Sequence, residues 1–318
     1  MIQNGEYGSP FFRGAVLAPW PNRLEDGYYE FGGQAYSVPI NEPGRFVALH
    51  GLALDREWVV ISRGPDRVRL RLERGSDAGY PFDLSLEMTY SLTAYGMKAS
   101  LTATNNGESP APYGCSFHPY FLPGEGLIDD VELRLEAHSW IECRRIDCCP
   151  VGPETDIPAD YDLRAFPRIG SRHLDATYGA VERDSKGIAR VQFGRLDVWW
   201  DKTLPWVQVY TTPERDAVAI EPEHMSGQCL SNRHRPRRGR AKKRVAHLDV
   251  GLSRTLVTGL DGPLDRAEIE SLAVGASGGR GDRDGVAVFE ERPGRSVVEL
   301  DRLLTVPGKF DERSALIR

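Results

Sequence analysis

Apolar and polar residues alternate one for one along much of the chain up to Glu221. Val68, Leu70 and Leu72 alternate with Arg67, Arg69 and Arg71, and Phe82, Leu84, Leu86, Met88 and Tyr90 keep the same beat. Val131, Leu133 and Leu135 repeat it. A period of two places every second side chain on one face, the pattern of an antiparallel strand with one face buried and one wet. Tyr28 to Phe31 and Gln34 to Val38 flank Gly32-Gly33, a two-residue hairpin signal. Further strands are predicted over 58–62, 97–104, 189–193, 207–211 and 217–221, separated by Pro, Gly, Asn and Asp clusters. No strong amphipathic helix interrupts them. The predicted fold class is all-β, a large antiparallel sandwich of two packed sheets. Residues 150–177 hold several prolines and read as a long loop ending at His173-Leu174-Asp175, the kind that carries function in a compact β domain.

The texture changes after Glu223. Residues 233–244 are densely basic, and the remainder of the chain to Arg318 is rich in Arg, Gly and Asp, with Phe289 and Phe310 as its only aromatics. Such a segment buries little apolar surface. The expected division is a sandwich over 1–227 and an atypical basic, low-complexity segment over 228–318, either an appended tail or sequence read out of frame.

Composition narrows the function classes. The 318 residues suffice for one large or two ordinary domains, and 40% hydrophobic content is enough for a sizeable core. A net charge of −6 argues against a chain devoted to nucleic acid, although the basic run leaves such a contact open as an alternative to a solvated tail. No apolar run approaches a membrane span, and Met1 to Glu6 lack the basic and apolar regions of a signal peptide, so a cytoplasmic location is expected. The five cysteines are odd in number and match neither a disulfide framework nor a zinc pattern, which fits reduced thiols.

Four short motifs carry candidate chemistry: Pro19-Trp20-Pro21-Asn22-Arg23, Leu49-His50-Gly51, Phe117-His118-Pro119-Tyr120-Phe121 and Ala219-Ile220-Glu221-Pro222. Together they supply two histidines, an arginine and a carboxylate. That set can bind a polyhydroxylated ligand and move protons on it with no metal or cofactor. Trp20, Phe117 and Tyr120 lie close by in sequence as rings that could cover the apolar faces of a sugar. Trp199-Trp200 reads as core packing. The glycines around Gly278 lack the strand and helix of a phosphate loop.

In this order, on an all-β background, the motifs resemble the aldose 1-epimerase (galactose mutarotase-like) family, in particular its bacterial branch with a Pro-Trp-x-Asn-Arg motif. The resemblance covers residues 11–222. It implies a β-supersandwich with a sugar cleft on one sheet, and a hexose whose α and β anomers are interconverted. It implies that His118 is the general acid, Glu221 the general base, and Arg23, His50 and Asp175 sugar-binding groups. Gln208, on the strand leading to the base, lines the cleft or serves the strand itself. Glucose, galactose and a sulfonated or phosphorylated hexose all remain open. A catalytically silent sugar-binding protein on the same scaffold is the alternative. Only eighteen residues precede Pro19, and the sequence after Glu221-Pro222 is unlike the family's, so both ends of the sandwich are expected to be incomplete or replaced.

Overall fold

The computed structural model describes residues 10–54, 56–93, 96–124, 126–165, 168–224 and 245–254. Nineteen strands follow one another, with four short 3₁₀ turns and no α-helix among the described residues. They are β1 (Val16–Leu17), β2 (Arg23–Glu25), β3 (Tyr28–Phe31), β4 (Gln34–Ser37), β5 (Val47–Leu49), β6 (Val59–Arg63), β7 (Arg67–Asp77), β8 (Tyr80–Thr93), β9 (Gly96–Asn105) and β10 (Ser116–Phe117). After these come β11 (Tyr120–Phe121), β12 (Leu133–Leu135), β13 (Ser139–Ile141), β14 (Asp175–Gly179), β15 (Ala189–Phe193), β16 (Leu196–Trp200), β17 (Trp206–Thr211), β18 (Val218–Glu223) and β19 (Val245–Arg254).

Two sheets account for most of them. The first runs β1-β10-β18-β17-β14-β13, with β11 also on β18, and the second runs β12-β15-β16-β19-β9-β8-β7-β6. Every ladder between these strands is antiparallel. The alternating residues explain the stacking. Val68, Leu70, Leu72, Leu86 and Met88 from the second sheet share one core with Ala176, Tyr178, Val207, Val209, Val218 and Ile220 from the first. Residues of odd number on β14 and β18, and of even number on β17, therefore point to the opposite face of the first sheet. The predicted Gly32-Gly33 turn closes β3 onto β4, with φ of 61° and 85° that a side chain would strain against. A second core of Trp20, Leu24, Tyr29, Val38, Tyr80, Phe82 and Leu84 packs beneath this hairpin. No helix among the described residues is long and apolar enough to cross a membrane.

One boundary is corrected. The change in sequence texture places Val245–Arg254 outside the sandwich, as part of the 228–318 segment. It forms β19 instead, laddered to β9 on one side and β16 on the other. The reason is local: Ala246, Leu248, Val250 and Leu252 alternate with His247, Asp249, Gly251 and Ser253, a strand pattern surrounded by low-complexity sequence. The expectations for the basic run at 233–244, for 225–232 and for 255–318 lie outside the described residues.

Candidate active site

The face of the first sheet turned away from the core carries the candidate residues in rows. Register places Thr177 beside Gln208 and Gln208 beside Glu221, with Asp175, Tyr210 and Ala219 in the next row. Strand pairing thus brings Asp175, Gln208 and Glu221 together from three separate parts of the sequence.

His118 sits between β10 and β11, pinned by its backbone: its N–H donates to Ala15 O at 3.0 Å and its carbonyl accepts from Gly14 N–H at 2.9 Å. The imidazole Nε2 lies 3.5 Å from Glu221 Oε1, too long for a strong hydrogen bond but close enough for both to reach oxygens on a single carbon. The ring stacks on Tyr120 at 5.1 Å and meets the edge of His50 at 5.3 Å. Both His118 and Glu221 are buried, with 5% and 2% of their surface exposed. Desolvation penalises either charge. It pushes the His118 imidazole down to about 3 and holds the Glu221 carboxyl well above the usual carboxylate range. For Glu221, the carboxyls of Glu223 and Asp175 add to the rise, while Arg23 opposes it.

His50 is held in one tautomer by its backbone neighbour. Asn22 N–H donates to His50 Nδ1 at 3.2 Å, and His50 N–H donates back to Asn22 O at 2.8 Å. With Nδ1 accepting, the neutral ring carries its proton on Nε2 and presents a donor. Burial, then His118 and Arg23, keep the ring neutral by holding its pKa well below the ordinary value. His50 has φ of 65°, and the next residue, Gly51, has φ of 78°. A Cβ on Gly51 would meet Ala18 O at 2.2 Å, so this turn needs glycine to let the two chains touch.

Arg23 donates from Nε to Glu42 Oε2 at 3.0 Å and from Nη1 to Asn22 Oδ1 at 3.1 Å. Two of its five N–H groups are so committed, and the fork is fixed for a ligand. Burial works against its charge, but Asp175 and Glu42 outweigh it and raise the pKa further. Asp175 is exposed on this outer face of the sheet, and its Oδ1 accepts from Gln208 Nε2 at 2.6 Å. Gln208 in turn accepts from the Thr177 hydroxyl, so its amide is oriented and its role as a holder of Asp175 is visible.

All six sequence-predicted site residues therefore converge. Two expected sugar-covering rings do not. Trp20 is 1% exposed in the second core, its indole N–H on Ala48 O, and Phe117 is buried in the main core. Asn22, Glu42, Thr177 and Phe12, whose ring packs 4.7 Å from His50, were not singled out from sequence. Thr177 was legible in principle, two residues from Asp175 on one strand face. Glu42 was not, because its loop carries no motif. Among the described residues no group of three or more His, Cys, Asp or Glu is arranged to hold a metal ion, and Cys115, Cys143, Cys148 and Cys149 are free thiols.

Residues 5–237 match the family model for aldose 1-epimerase. The chain belongs to that family. It is 37% identical over 214 residues to the uncharacterized protein YihR of Escherichia coli K12, covering 66% of this chain and 68% of that one. It is 28% identical over 255 residues to galactose mutarotase of Mus musculus, covering 71% of each. Among solved structures, a GalM/aldose epimerase homologue from C. elegans superposes with a TM-score of 0.64 at 19% identity, over 76% of this chain and 82% of that one. A putative aldose 1-epimerase from Escherichia coli K12 does so with a TM-score of 0.63 at 19% identity, over 76% and 84%. Both likenesses speak for the epimerase sandwich fold.

Proposed function

We propose that the protein interconverts the α and β anomers of a hexose by acid–base ring opening and closure. The observation that carries this is the buried His118–Glu221 pair, 3.5 Å apart, beside the groups Arg23, His50 and Asp175. Glu221 takes the proton from the C1 hydroxyl while protonated His118 delivers one to the ring oxygen. The C1–ring oxygen bond breaks and an open-chain aldehyde forms. Rotation about C1–C2 followed by the reverse transfers closes the other anomer, so atoms and protons balance without a co-reactant. Burial favours the uncharged resting pair, protonated Glu221 beside neutral His118, so the working ion pair forms when the Glu221 proton passes to His118 across the 3.5 Å between them, a shift that Arg23 favours by stabilising ionised Glu221. The Nε2–H of His50, the fork of Arg23 and the Gln208-held carboxylate of Asp175 supply the hydroxyl contacts. Positioned acid and base groups contribute about a hundredfold to ten-thousandfold each, enough for a reaction that already runs slowly in water.

Polarimetry of fresh α-glucose and α-galactose with the purified protein tests this reading. The approach to anomeric equilibrium should accelerate in proportion to enzyme. No acceleration with these or other hexoses, alongside measurable sugar binding, would instead support a silent sugar-binding protein.

A further inference from the structure

The second sheet ends in a strand with apolar residues turned outward. β6 is the last strand in that sheet's order, so among the described residues it ladders to β7 on one side only. All five of its residues are exposed, and three in succession are apolar: Val59 at 60%, Val60 at 38% and Ile61 at 42%. An edge strand turns backbone N–H and C=O groups outward and so offers a template for another strand. Native sheets often blunt such an edge with a charge in mid-strand. Here the charges stand at the two ends instead. Glu57 lies just before the strand and Arg63 is its last residue, both exposed. Trp58 between them is half-buried against the main core.

We propose that β6 is the surface through which two copies of this chain pair, antiparallel and about a two-fold axis at Val60. Set against itself in that direction, the sequence over 57–63 matches position by position. Val60 meets the second copy's Val60, Val59 meets its Ile61, Trp58 meets its Ser62, and Glu57 meets its Arg63. Moving the axis to Val59 would set Glu57 against Ile61, and moving it to Ile61 would set Arg63 against Val59. With the axis at Val60, apolar side chains cover one another in the middle and an opposite-charge pair closes each end. Cross-strand contacts of both kinds stabilise antiparallel ladders, and like charges placed opposite destabilise them. The ladder to β7 slips register between Val60 and Ser62, a bulge that adds twist in mid-strand. A flat strand from an unrelated chain fits such an edge poorly, whereas a second copy brings the same twist turned about by the two-fold. The contact is isologous, so it closes at two copies and does not grow into a filament. It uses the second sheet and none of the candidate site residues on the first, so it does not rest on the proposed reaction.

Sedimentation velocity of the full chain tests it, and a monomer–dimer equilibrium is expected. Val60→Lys sets two ammonium groups face to face on the axis and should raise the dimer dissociation constant about tenfold or more, with circular dichroism unchanged because the residue is exposed. Glu57→Arg and Arg63→Glu should each weaken the dimer about tenfold, since each brings like charges together at both ends. Mixed in equal amounts, these two chains should associate at least as tightly as the wild type, because one then carries two positive ends and the other two negative ends. A role of either charge within its own chain gives no such rescue. A monomeric wild type overturns the inference, whether its 59–63 amides exchange rapidly or are protected by another segment of the same chain. A dimer as strong in Val60→Lys as in the wild type overturns it by placing the contact elsewhere. Failure of the mixed chains to recover wild-type association overturns the pairing centred on Val60. If Val60→Lys does not fold, the mixing experiment decides the matter.

Discussion

Burial governs the protonation of the residues at the site, and it acts in opposite senses on its two kinds of acid. His118 and His50 are held neutral, whereas Glu221 and Glu223 hold protons above their usual range. Stability then depends on pH in two opposed ways. Above the ordinary carboxylate value of 4.5, the folded chain binds more protons at Glu221 and Glu223 than the unfolded chain does, so stability falls as pH rises. Below the ordinary histidine value of 6.5, the unfolded chain binds more protons at His118, so stability there rises with pH. Above 6.5 only the carboxyl effect remains of these two. Thermal denaturation upward from pH 6.5 should therefore show Tm falling with pH until the buried carboxyls ionise, and Glu223→Gln should flatten that slope. At the same scale, His118→Ala and Glu221→Gln should each slow mutarotation by about a hundredfold or more, with sugar binding still measurable by calorimetry. Near-wild-type rates in either variant would remove these two from their proposed roles. Gln208→Ala leaves Asp175 without its 2.6 Å donor and should act differently, raising KM by about tenfold with a smaller change in kcat.

At the scale of elements, short strands and turns do the positioning. β2 and β5 pair to set Arg23 opposite Leu49, one residue before His50. The left-handed turn at His50-Gly51 then brings the imidazole back to Asn22. Gly51→Ala would force a Cβ against Ala18 O in a backbone region that disfavours side chains. The expected outcome is a loss of about 2 kcal/mol or more in denaturant unfolding, with sugar affinity reduced as His50 shifts. A variant as stable as the wild type would show that the turn tolerates a side chain after all. Much of this layer was legible beforehand. Period-two alternation located β7, β8, β9, β15, β17 and β18 to within a few residues, and Gly32-Gly33 marked its hairpin. The two- and three-residue strands β1, β2, β5, β10 and β11 were not predicted as strands, because so few residues cannot establish a period. What marked those places in the sequence was the motif residues that the strands carry.

At the scale of the whole molecule, β19 holds the second sheet together between β16 and β9. Ending the chain at Lys243 would strip ladder hydrogen bonds from both neighbours and open two edges in the middle of a sheet. That truncation should yield insoluble or unfolded protein, visible as lost circular dichroism and rapid proteolysis. A folded, protease-resistant product would mean that β16 and β9 can close without it. The sequence by itself determined the all-β class, the alternating faces of the long strands and the motifs that hold the six candidate residues, because a period of two and short motifs are local properties of the chain. Tertiary structure alone decided the rest. The membership of β19, the turning of Trp20 and Phe117 into cores, the Gln208 link to Asp175 and the burial of Glu223 beside Glu221 all depend on which strands become neighbours. Register between strands far apart in sequence is a property of packing, and desolvation, which governs the protonation of His50, His118, Glu221 and Glu223, exists only once that packing is complete.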